Sequence, residues 1–511
     1  MTQITVSRKM AVLATLTGSV CNTLIISIQA IVLVPFYLTF IGPKLYGAWL
    51  ASGEFLCLMQ ALDLGLPNLM IQRIGSAYGR DDLRSVGEYF TAGSLILLTI
   101  AAIVFGILTA ICSFVPIWMG LSGKEAVLLG SCFQLGALAS AITIANNSVI
   151  GFSRGVQQTA LLNIVLTISA IAGFLTSLVL LIHGHGLWSI VGGMFARALI
   201  QLSGSCIYFY YYWFRPLYHT LRLRAHILRE LVYVSPVTAI GGFSYALLNQ
   251  SELAILAITV RPEIAAVYAL TRRAVDAARG ILDTIGYSSY GGLAHLFSSD
   301  RSSNSNRVVA QLRAVHLSTG IAVAAAYMLV NRSLLGVWVG NNIYDGPALT
   351  ILLGISLIVS SSSYLTNNIF RATGSVVYAS LFYIFECALR LPLALLLLPS
   401  LGLIALPVSA ILISRLSGTL QGRLILRRVP GALLPNRRSQ LLSWTISVMC
   451  ILSCAYLGYI TYIPSWLFVL SVGFSVSISI ALALYYSNPL TRLWLISFWN
   501  FTLIPKSLNK N

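Results

Sequence analysis

Long apolar stretches separated by short polar loops occupy the chain from residue 11 to residue 487. A bilayer core of roughly 30 Å is crossed by an α-helix of about 20 apolar residues. The pattern therefore predicts an all-α polytopic membrane protein with about fourteen transmembrane helices, and a count of twelve or thirteen stays open. The predicted spans lie near 11–40, 46–71, 88–114, 126–150, 158–182, 186–213, 232–259, 263–291, 314–336, 347–370, 376–399, 402–426, 441–463 and 465–487.

Composition and charge agree with this pattern. Of the 511 residues, 57% are hydrophobic and 9% are charged, whereas a soluble domain has about 25% charged residues. A disordered chain, a disulfide scaffold and a soluble nucleic-acid-binding protein are thereby excluded. The net charge of +18 is explained by cationic loops on the cytoplasmic side. The predicted loops on the opposite side contain only three basic residues, Lys44, Lys124 and Arg261. Because basic residues concentrate in cytoplasmic loops, this distribution predicts that both termini are cytoplasmic.

The first twelve spans contain an internal repeat with an offset of about 220 residues. The segments 42–49 and 261–268 are similar, as are 116–120 and 336–340, Asn146-Asn147 and Asn367-Asn368, and Arg197 and Arg415. Because six is an even number, the two halves enter the membrane from the same side, which predicts lobes related by an axis along the membrane normal. We expect an N-terminal six-helix lobe at 1–214, a cytoplasmic linker at 215–231 and a C-terminal six-helix lobe at 232–428. Two additional transmembrane helices at 441–487 and a cytoplasmic tail at 488–511 follow.

The predicted span at 263–291 carries an unusual charged stripe. Arg272, Asp276, Arg279 and Asp283 are spaced so that they share one helical face, and Arg273 lies beside them. Ionisable side chains within a bilayer are costly and line protein or water. One salt bridge does not need five charges, so the pattern favours a hydrophilic lumen.

Other ionisable residues fall inside predicted spans. Glu252 is interpreted either as a member of a structural ion pair or as a carboxylate that gains a proton. Arg197 and Arg415 either line the lumen or have a structural role. Glu54 is placed deep enough to face the lumen, whereas the spacing of Glu386 and Arg390 predicts a self-satisfied pair. The ion-coupling candidates are Glu252, Asp276, Asp283 and Glu54.

The sequence lacks the motifs of common enzymes. It has no GxxxxGK[ST] segment and no HExxH. Its eight cysteines lie in apolar runs and form no CxxC pair. We therefore predict no catalytic residues, no metal site and no cofactor, and we interpret the protein as a transporter rather than an enzyme.

Several segments resemble the Wzx-type flippases, the polysaccharide-exporter branch of the multidrug/oligosaccharidyl-lipid/polysaccharide (MOP) superfamily. They are Val34-Pro35-Phe36-Tyr37-Leu38 through Trp49, Leu62-Asp63-Leu64-Gly65-Leu66, Arg73 with Gly79-Arg80-Asp81, and Pro262-Glu263 with Ala266-Val267-Tyr268-Ala269-Leu270. The resemblance implies a bacterial inner-membrane protein that moves an undecaprenyl-pyrophosphate-linked oligosaccharide to the outer leaflet for surface polysaccharide synthesis. It also suggests a polysaccharide polymerase and a chain-length regulator as further partners.

This cargo suits the cationic stripe, because arginine pairs with phosphate oxygens in bidentate fashion. Arg272 and Arg273 are the first candidates for binding the pyrophosphate, followed by Arg279, Arg197 and Arg415. Span 1 carries no charge. A cationic contribution from span 1, of the kind that related flippases have, is therefore not expected in this protein. The alternatives are a cation-coupled drug antiporter of the related multidrug (MATE) branch and a membrane-embedded glycosyltransferase or polymerase.

Overall fold

The computed structural model describes residues 25, 28–29, 31–63, 65–156, 158–234, 236–298, 302–340, 343–428, 437–488 and 491–492. Within these residues the chain forms helices and no strand. The first part of predicted span 1 and the tail from residue 493 lie outside the described residues. Contacts divide the chain into two compact units, Met1–Ala266 and Val267–Asn511.

The first unit contains twelve helices in its described part and the start of a thirteenth. They are α1 (Ile31–Phe40), α2 (Pro43–Gln60), α3 (Leu66–Tyr78), α4 (Leu83–Ile111), α5 (Val115–Trp118), α6 (Gly123–Gly155), α7 (Ala160–Ile182), α8 (Trp188–Phe209), α9 (Arg215–Leu217), α10 (Ala225–Val234), α11 (Pro236–Gln250) and α12 (Glu252–Thr259). A π-helical turn, Tyr210–Phe214, joins α8 to α9. Helix α6 packs against α2, α3, α4 and α8, while α7 packs along α8.

The second unit is built from seven long helices in its described part. They are α13 (Pro262–Ser298), which starts in the first unit, α14 (Ser302–Trp338), α15 (Pro347–Ala372), α16 (Val376–Leu401), α17 (Ala405–Arg428), α18 (Arg437–Ile460) and α19 (Trp466–Ser487). Helix α15 packs on α14, α16 and α17, and α14 also packs on α18 and α19. One apolar core joins α14, α18 and α19 through Ile321, Ala325, Leu329, Cys454 and Ile480.

Eight helical stretches of the described chain are long and apolar enough to cross a membrane. They are Leu83–Ile111, Gly123–Gly155, Ala160–Ile182, Trp188–Leu217, Asn306–Trp338, Pro347–Ala372, Val377–Ile425, which combines α16 and α17, and Trp466–Ser487. Helix α13 is not among them, since five charged residues lie between positions 272 and 283. The predicted all-α polytopic class is confirmed. The count of fourteen and the six-helix lobes stay predictions.

The predicted span 46–71 is interrupted in the structure. Helix α2 ends at Gln60, a 3-10 turn covers Ala61–Asp63, and Gly65 has a φ of 65°, a backbone conformation that glycine adopts without a steric penalty. The Asp63 carboxylate accepts hydrogen bonds from the Gly65 amide at 3.0 Å and from Asn147 Nδ2 at 3.5 Å. Asp63 therefore braces the break against α6.

The predicted span 232–259 is also discontinuous, because α11 ends at Gln250 and α12 starts at Glu252. Both pieces pack against α2. Close to this site, Gly47 of α2 lies directly on the carbonyl group of Pro262, the first residue of α13. Gly47 and Pro262 belong to the two segments that the internal repeat relates. Helix α2 therefore contacts α11 and α12, which form predicted span 7, and also Pro262, the first residue of α13.

Candidate functional site

The charged stripe of α13 lies at the edge of the buried face of that helix. The buried face contains Thr271, Val275, Ala278, Leu282 and Gly286, and the exposed face contains Arg273, Ala277, Gly280, Ile281 and Thr284. On a helix of 3.6 residues per turn, positions 272, 276, 279 and 283 fall between these two faces. The buried face packs on two neighbours, since Tyr327 Oη of α14 donates to the Thr271 carbonyl and Gly286 lies beside Asn368 of α15.

Two members of the stripe form an ion pair. Arg272 Nε lies 2.9 Å from Asp276 Oδ2, and the side chains are 10% and 37% exposed. The Arg272 guanidinium also lies over the ring of Tyr268, 5.6 Å from its centroid. Asp276 thus neutralises Arg272 within the same helix. The pair joins a buried arginine side chain to a partly exposed carboxylate, and the lumen-facing position of the two residues stays a prediction.

Arg273 has a different environment. Its residue is exposed, and among the described residues it makes no ion pair or side-chain hydrogen bond. Arg279 and Asp283 are partly buried, and neither lacks partners. Of the three arginines predicted on this helix, Arg273 is therefore the one whose donors are available to an external anion.

The two predicted carboxylates of the first unit both lie at the N-terminal end of α12. Glu54 and Glu252 are both buried, and Glu54 Oε2 accepts a hydrogen bond of 2.9 Å from the amide of Ala254 in the first turn of α12. Unsatisfied amides and the helix dipole make a helix N-terminus favourable for a negative charge. The structure thus brings Glu54 and Glu252 to one helix end.

Arg197 and Arg415 have no ion pair within the described residues. Arg197 is partly buried on α8, where its Cβ lies next to Gly173 of α7. Arg415 is exposed on α17. Each belongs to a different unit, and the two remain candidates for binding anions.

Glu386 and Arg390 are both buried on α16. Glu386 Oε1 accepts a hydrogen bond of 3.3 Å from Ser363 Oγ of α15, and Ser414 and Ser417 of α17 are also hydrogen-bond partners of this carboxylate. The charge of Arg390 acts on the same carboxylate. The predicted pair is thus part of a larger buried polar cluster that joins three helices.

Sequence patterning missed two basic side chains. Arg313 and His316 lie at a predicted loop boundary, whereas α14 runs without interruption from Ser302 to Trp338. His316 is buried and bonds to the backbone of Leu282 on α13, and the charge of Arg415 acts on Arg313. The available signal was the spacing of Val308, Val309 and Leu312, which continues the helical period of apolar residues ahead of the predicted span.

No group of three or more His, Cys, Asp or Glu side chains in the described part of the chain is placed to hold a metal ion. His183 and His185 lie in an exposed turn in which Gly184 and Gly186 have positive φ values. The candidate chemistry of the described sites is therefore anion binding by arginine and proton or cation exchange at buried carboxylates.

An all-α polytopic architecture of this kind defines a class of membrane proteins, and solved structures with a similar fold are MATE transporters. An inward-facing multidrug resistance MATE family transporter of the MOP superfamily has a TM-score of 0.61 and 16% identity, over 80% of this chain and 95% of that one. The eukaryotic MATE transporter AtDTX14 has a TM-score of 0.58 and 13% identity, over 87% and 99% of the two chains. An outward-facing MATE family transporter of the same superfamily has a TM-score of 0.56 and 16% identity, over 84% and 97%.

No protein-family model and no curated protein matches the sequence. At these identities, the likeness establishes the fold. The superfamily that the sequence motifs suggest is the one named for the inward-facing and the outward-facing transporter, and the Wzx-type branch stays a prediction.

Proposed function

We propose that the protein moves a polyprenyl-pyrophosphate-linked oligosaccharide from one membrane leaflet to the other by alternating access. The fold likeness to transporters supports movement of a substrate across a membrane. The observation that carries the choice of cargo is Arg273, an exposed arginine without a partner among the described residues on a helix predicted to span the membrane. An arginine in such a position requires an anion or water, and a pyrophosphate accepts bidentate hydrogen bonds from guanidinium groups.

In this proposal Arg273 binds the pyrophosphate, and Arg279, Arg197 and Arg415 contribute further positive charge. Arg272 pairs with Asp276 on the same helix. In this proposal it stabilises that face of α13 and does not itself contact the cargo. The protein resides in a bacterial inner membrane with both termini in the cytoplasm, and it delivers its cargo to a polysaccharide polymerase that works with a chain-length regulator. The segments 1–214 and 232–428 act as the two six-helix lobes.

The test is translocation of a lipid-linked oligosaccharide in proteoliposomes, measured as protection of the sugar from an added glycosidase. We expect Arg273→Gln to abolish most of the transport and Arg273→Lys to retain part of it, because lysine keeps the charge but loses the planar fork. Arg307→Gln is the matched control, since Arg307 is also exposed and also lacks an ion pair among the described residues. Unchanged transport by Arg273→Gln would refute the assignment of the pyrophosphate to this residue.

A second candidate function is cation-coupled extrusion of drugs. The observation that favours it is the set of buried carboxylates, Glu54, Glu252 and Glu386, together with the fold of MATE transporters. Energised vesicles that extrude a cationic dye, with loss of extrusion in Glu252→Gln, would favour this function. A third candidate, a membrane glycosyltransferase or polymerase, requires glycosyl transfer by the purified protein.

A further inference from the structure

The segment 210–233, which follows α8, carries a column of aromatic rings on its surface. Tyr210 stacks on Phe214 with ring centroids 5.5 Å apart, and Phe214 meets Tyr218 edge to face at 5.4 Å. The three residues are spaced by four, so they follow one side of the chain from the π-helical turn through α9 into the next turn. Tyr210 and Tyr218 are exposed, and the aromatic column therefore lies at the surface of the first unit.

The opposite side of this segment is fixed in the protein. The buried ring of Trp213 packs edge to face on Phe152 of α6 and on Tyr78 of α3, with centroid distances of 5.1 and 5.9 Å. Its indole Nε1 donates to Tyr208 Oη at 3.2 Å, and Leu217 is fully buried. Because these contacts set the rotation of the segment about its axis, the outward direction of the aromatic column is a property of the fold.

The exposed rings are tyrosines in consecutive positions at the end of a candidate span. Tyr211 and Tyr212 extend the exposed surface beside Tyr210, and none of the three hydroxyl groups has a hydrogen-bond partner among the described residues. These positions lie in the last part of Trp188–Leu217, a helical stretch long and apolar enough to cross a membrane. Tyrosine combines an apolar ring with a polar tip and is enriched where a span leaves the hydrocarbon core. The surface therefore suits the headgroup region of a bilayer.

Positive charge accompanies the aromatic column. Arg215 begins α9, Arg222 precedes α10 and Arg229 lies within α10, and all three are exposed. The sequence of the segment contains one acidic residue, Glu230, and its carboxylate is already paired with Arg73 at 2.6 Å. The exposed side of the segment thus combines tyrosine rings with a positive charge that its own acidic residue does not neutralise.

We propose that the segment 210–233 binds the anionic phospholipids of the cytoplasmic leaflet. The tyrosine rings occupy the headgroup region, and Arg215, Arg222 and Arg229 lie against the lipid phosphates. Basic residues next to the cytoplasmic end of a span attract anionic lipids, and the side-by-side arrangement of rings and charges matches a surface that is apolar below and negative above. The interaction makes the stability of the first unit depend on lipid charge. It concerns the surrounding membrane rather than the cargo and does not rest on the proposed function.

The first test measures thermal unfolding of the purified protein in phosphatidylcholine nanodiscs that contain increasing fractions of phosphatidylglycerol. A ligand that binds the folded state raises the melting temperature, and we expect such a rise for wild type. The double variant Arg215→Gln/Arg222→Gln should need about 25-fold more phosphatidylglycerol for the same rise, since each arginine near an anionic surface strengthens binding about fivefold. Arg224 is left in place because it pairs with the buried Glu88 at 2.8 Å.

The matched control, Lys124→Gln/Arg261→Gln, removes two exposed cations of the first unit from the loops predicted on the opposite side. It should respond to phosphatidylglycerol like wild type. A wild type without a rise would overturn the proposal, and so would an equal loss of the rise in the two double variants, because the effect would then follow the total charge rather than this segment.

A second test locates the rings in the bilayer. Tyr211 is 74% exposed, so Tyr211→Trp adds an indole to the surface without disturbing the buried contacts, and wild type supplies the background of the nine native tryptophans. Phospholipids brominated near the glycerol end of the acyl chain should quench the added fluorescence more than phospholipids brominated near the chain terminus. Stronger quenching by the deep bromine, or no quenching by either lipid, would overturn the proposal. Neither test measures transport, so their outcome is independent of the Arg273 experiment.

Discussion

Glu54 Oε2 and the backbone amide of Ala254 form a buried hydrogen bond of 2.9 Å across 200 residues of sequence. The carboxylate of α2 acts as the N-terminal cap of α12, for which Ser251 at the preceding position makes no side-chain cap bond. A discontinuous helix in a membrane protein needs substitutes for the hydrogen bonds lost at its break. Glu54 supplies one of them.

Removing this cap should destabilise the first unit. We expect Glu54→Ala to cost about 1–2 kcal/mol, the usual range for the loss of a cap, and Glu54→Gln to cost less because an amide oxygen still accepts. Thermal unfolding in detergent measures the difference. Glu125→Ala is the control, since Glu125 makes an exposed ion pair with Lys44, and such pairs contribute little. Equal melting of Glu54→Ala and Glu125→Ala would contradict the capping role.

The ion pair of α13 should respond asymmetrically to substitution. Asp276→Asn removes a charged partner of the more deeply buried Arg272 and should cost about 1–3 kcal/mol, whereas Arg272→Gln leaves a carboxylate that is already 37% exposed and should cost less. The double variant should recover part of the loss. Arg273→Gln should leave stability unchanged, and the idea fails if Arg272→Gln is the more damaging single change.

Glu88 should hold the segment between α8 and α11 against α4. Its buried carboxylate pairs with Arg224 at 2.8 Å and with Arg84 at 3.2 Å. Glu88→Gln should accelerate hydrogen exchange in residues 218–230 by about tenfold, because charge-assisted hydrogen bonds to a buried group are lost. Glu230→Gln, which removes a more exposed pair with Arg73, should have a smaller effect. The same exchange rates in both variants would argue against an anchoring role for Glu88.

Asp82 should make one end of α4 sensitive to acid. The hydroxyl and amide of Ser85 donate to its carboxylate and lower the pKa of Asp82 below the usual value of 3.8. Because the folded pKa is lower than the unfolded one, the stabilising effect is present above the unfolded pKa and is lost as pH falls through the folded pKa. Asp82→Asn keeps a capping side chain and should remove this dependence. The melting temperatures of wild type and Asp82→Asn should therefore converge or cross below about pH 4, and a constant gap would contradict the shift.

Two glycines of α2 offer a direct test of helix packing. A Cβ atom at Gly47 would collide with the backbone carbonyl of Pro262, whereas one at Gly53 would meet nothing within 4 Å. Gly47→Ala should cost about 1–3 kcal/mol or prevent folding, while Gly53→Ala should stabilise the helix by about 0.5–1 kcal/mol. Thermal unfolding of the two variants measures both effects. If Gly47→Ala is neutral, the contact between α2 and the start of α13 is not formed in the protein.

Hydropathy and charge spacing were sufficient for the fold class and for the stripe on α13, because both depend on periodicity along one helix. The same approach placed one continuous helix at 46–71 and another at 232–259, where the structure has breaks at 61–65 and 251. The polar run Asn249-Gln250-Ser251-Glu252 was the local signal for the second break. Its stabilising partner Glu54 could not be found by pattern, since nothing local links residues 200 positions apart.

The pairing of charges was also only partly accessible. Spacing of four residues suggested a local pair for Glu386 and Arg390, whose charges interact, whereas Arg272 and Asp276 were predicted only as members of a stripe that faces a lumen, and their ion pair was not foreseen. The contacts between helices, such as Ser363 with Glu386 or Thr319 with Tyr485, depend on the rotation of each helix about its axis. A single sequence does not specify that rotation, so these neighbours became visible only in the fold.

The last two helices are attached to α14 along most of its length. Gly458 of α18 lies directly on the backbone of α14 at Met328 and Leu329, the Ile463 amide donates to Ser333 Oγ at 3.1 Å, and Thr319 bonds to Tyr485 of α19 at 2.7 Å. A shortened protein that ends before residue 437 would leave Ile321, Ala325 and Leu329 without their neighbours. Helices α18 and α19 therefore support α14 as part of the second unit, and any movement of α14 must carry them along.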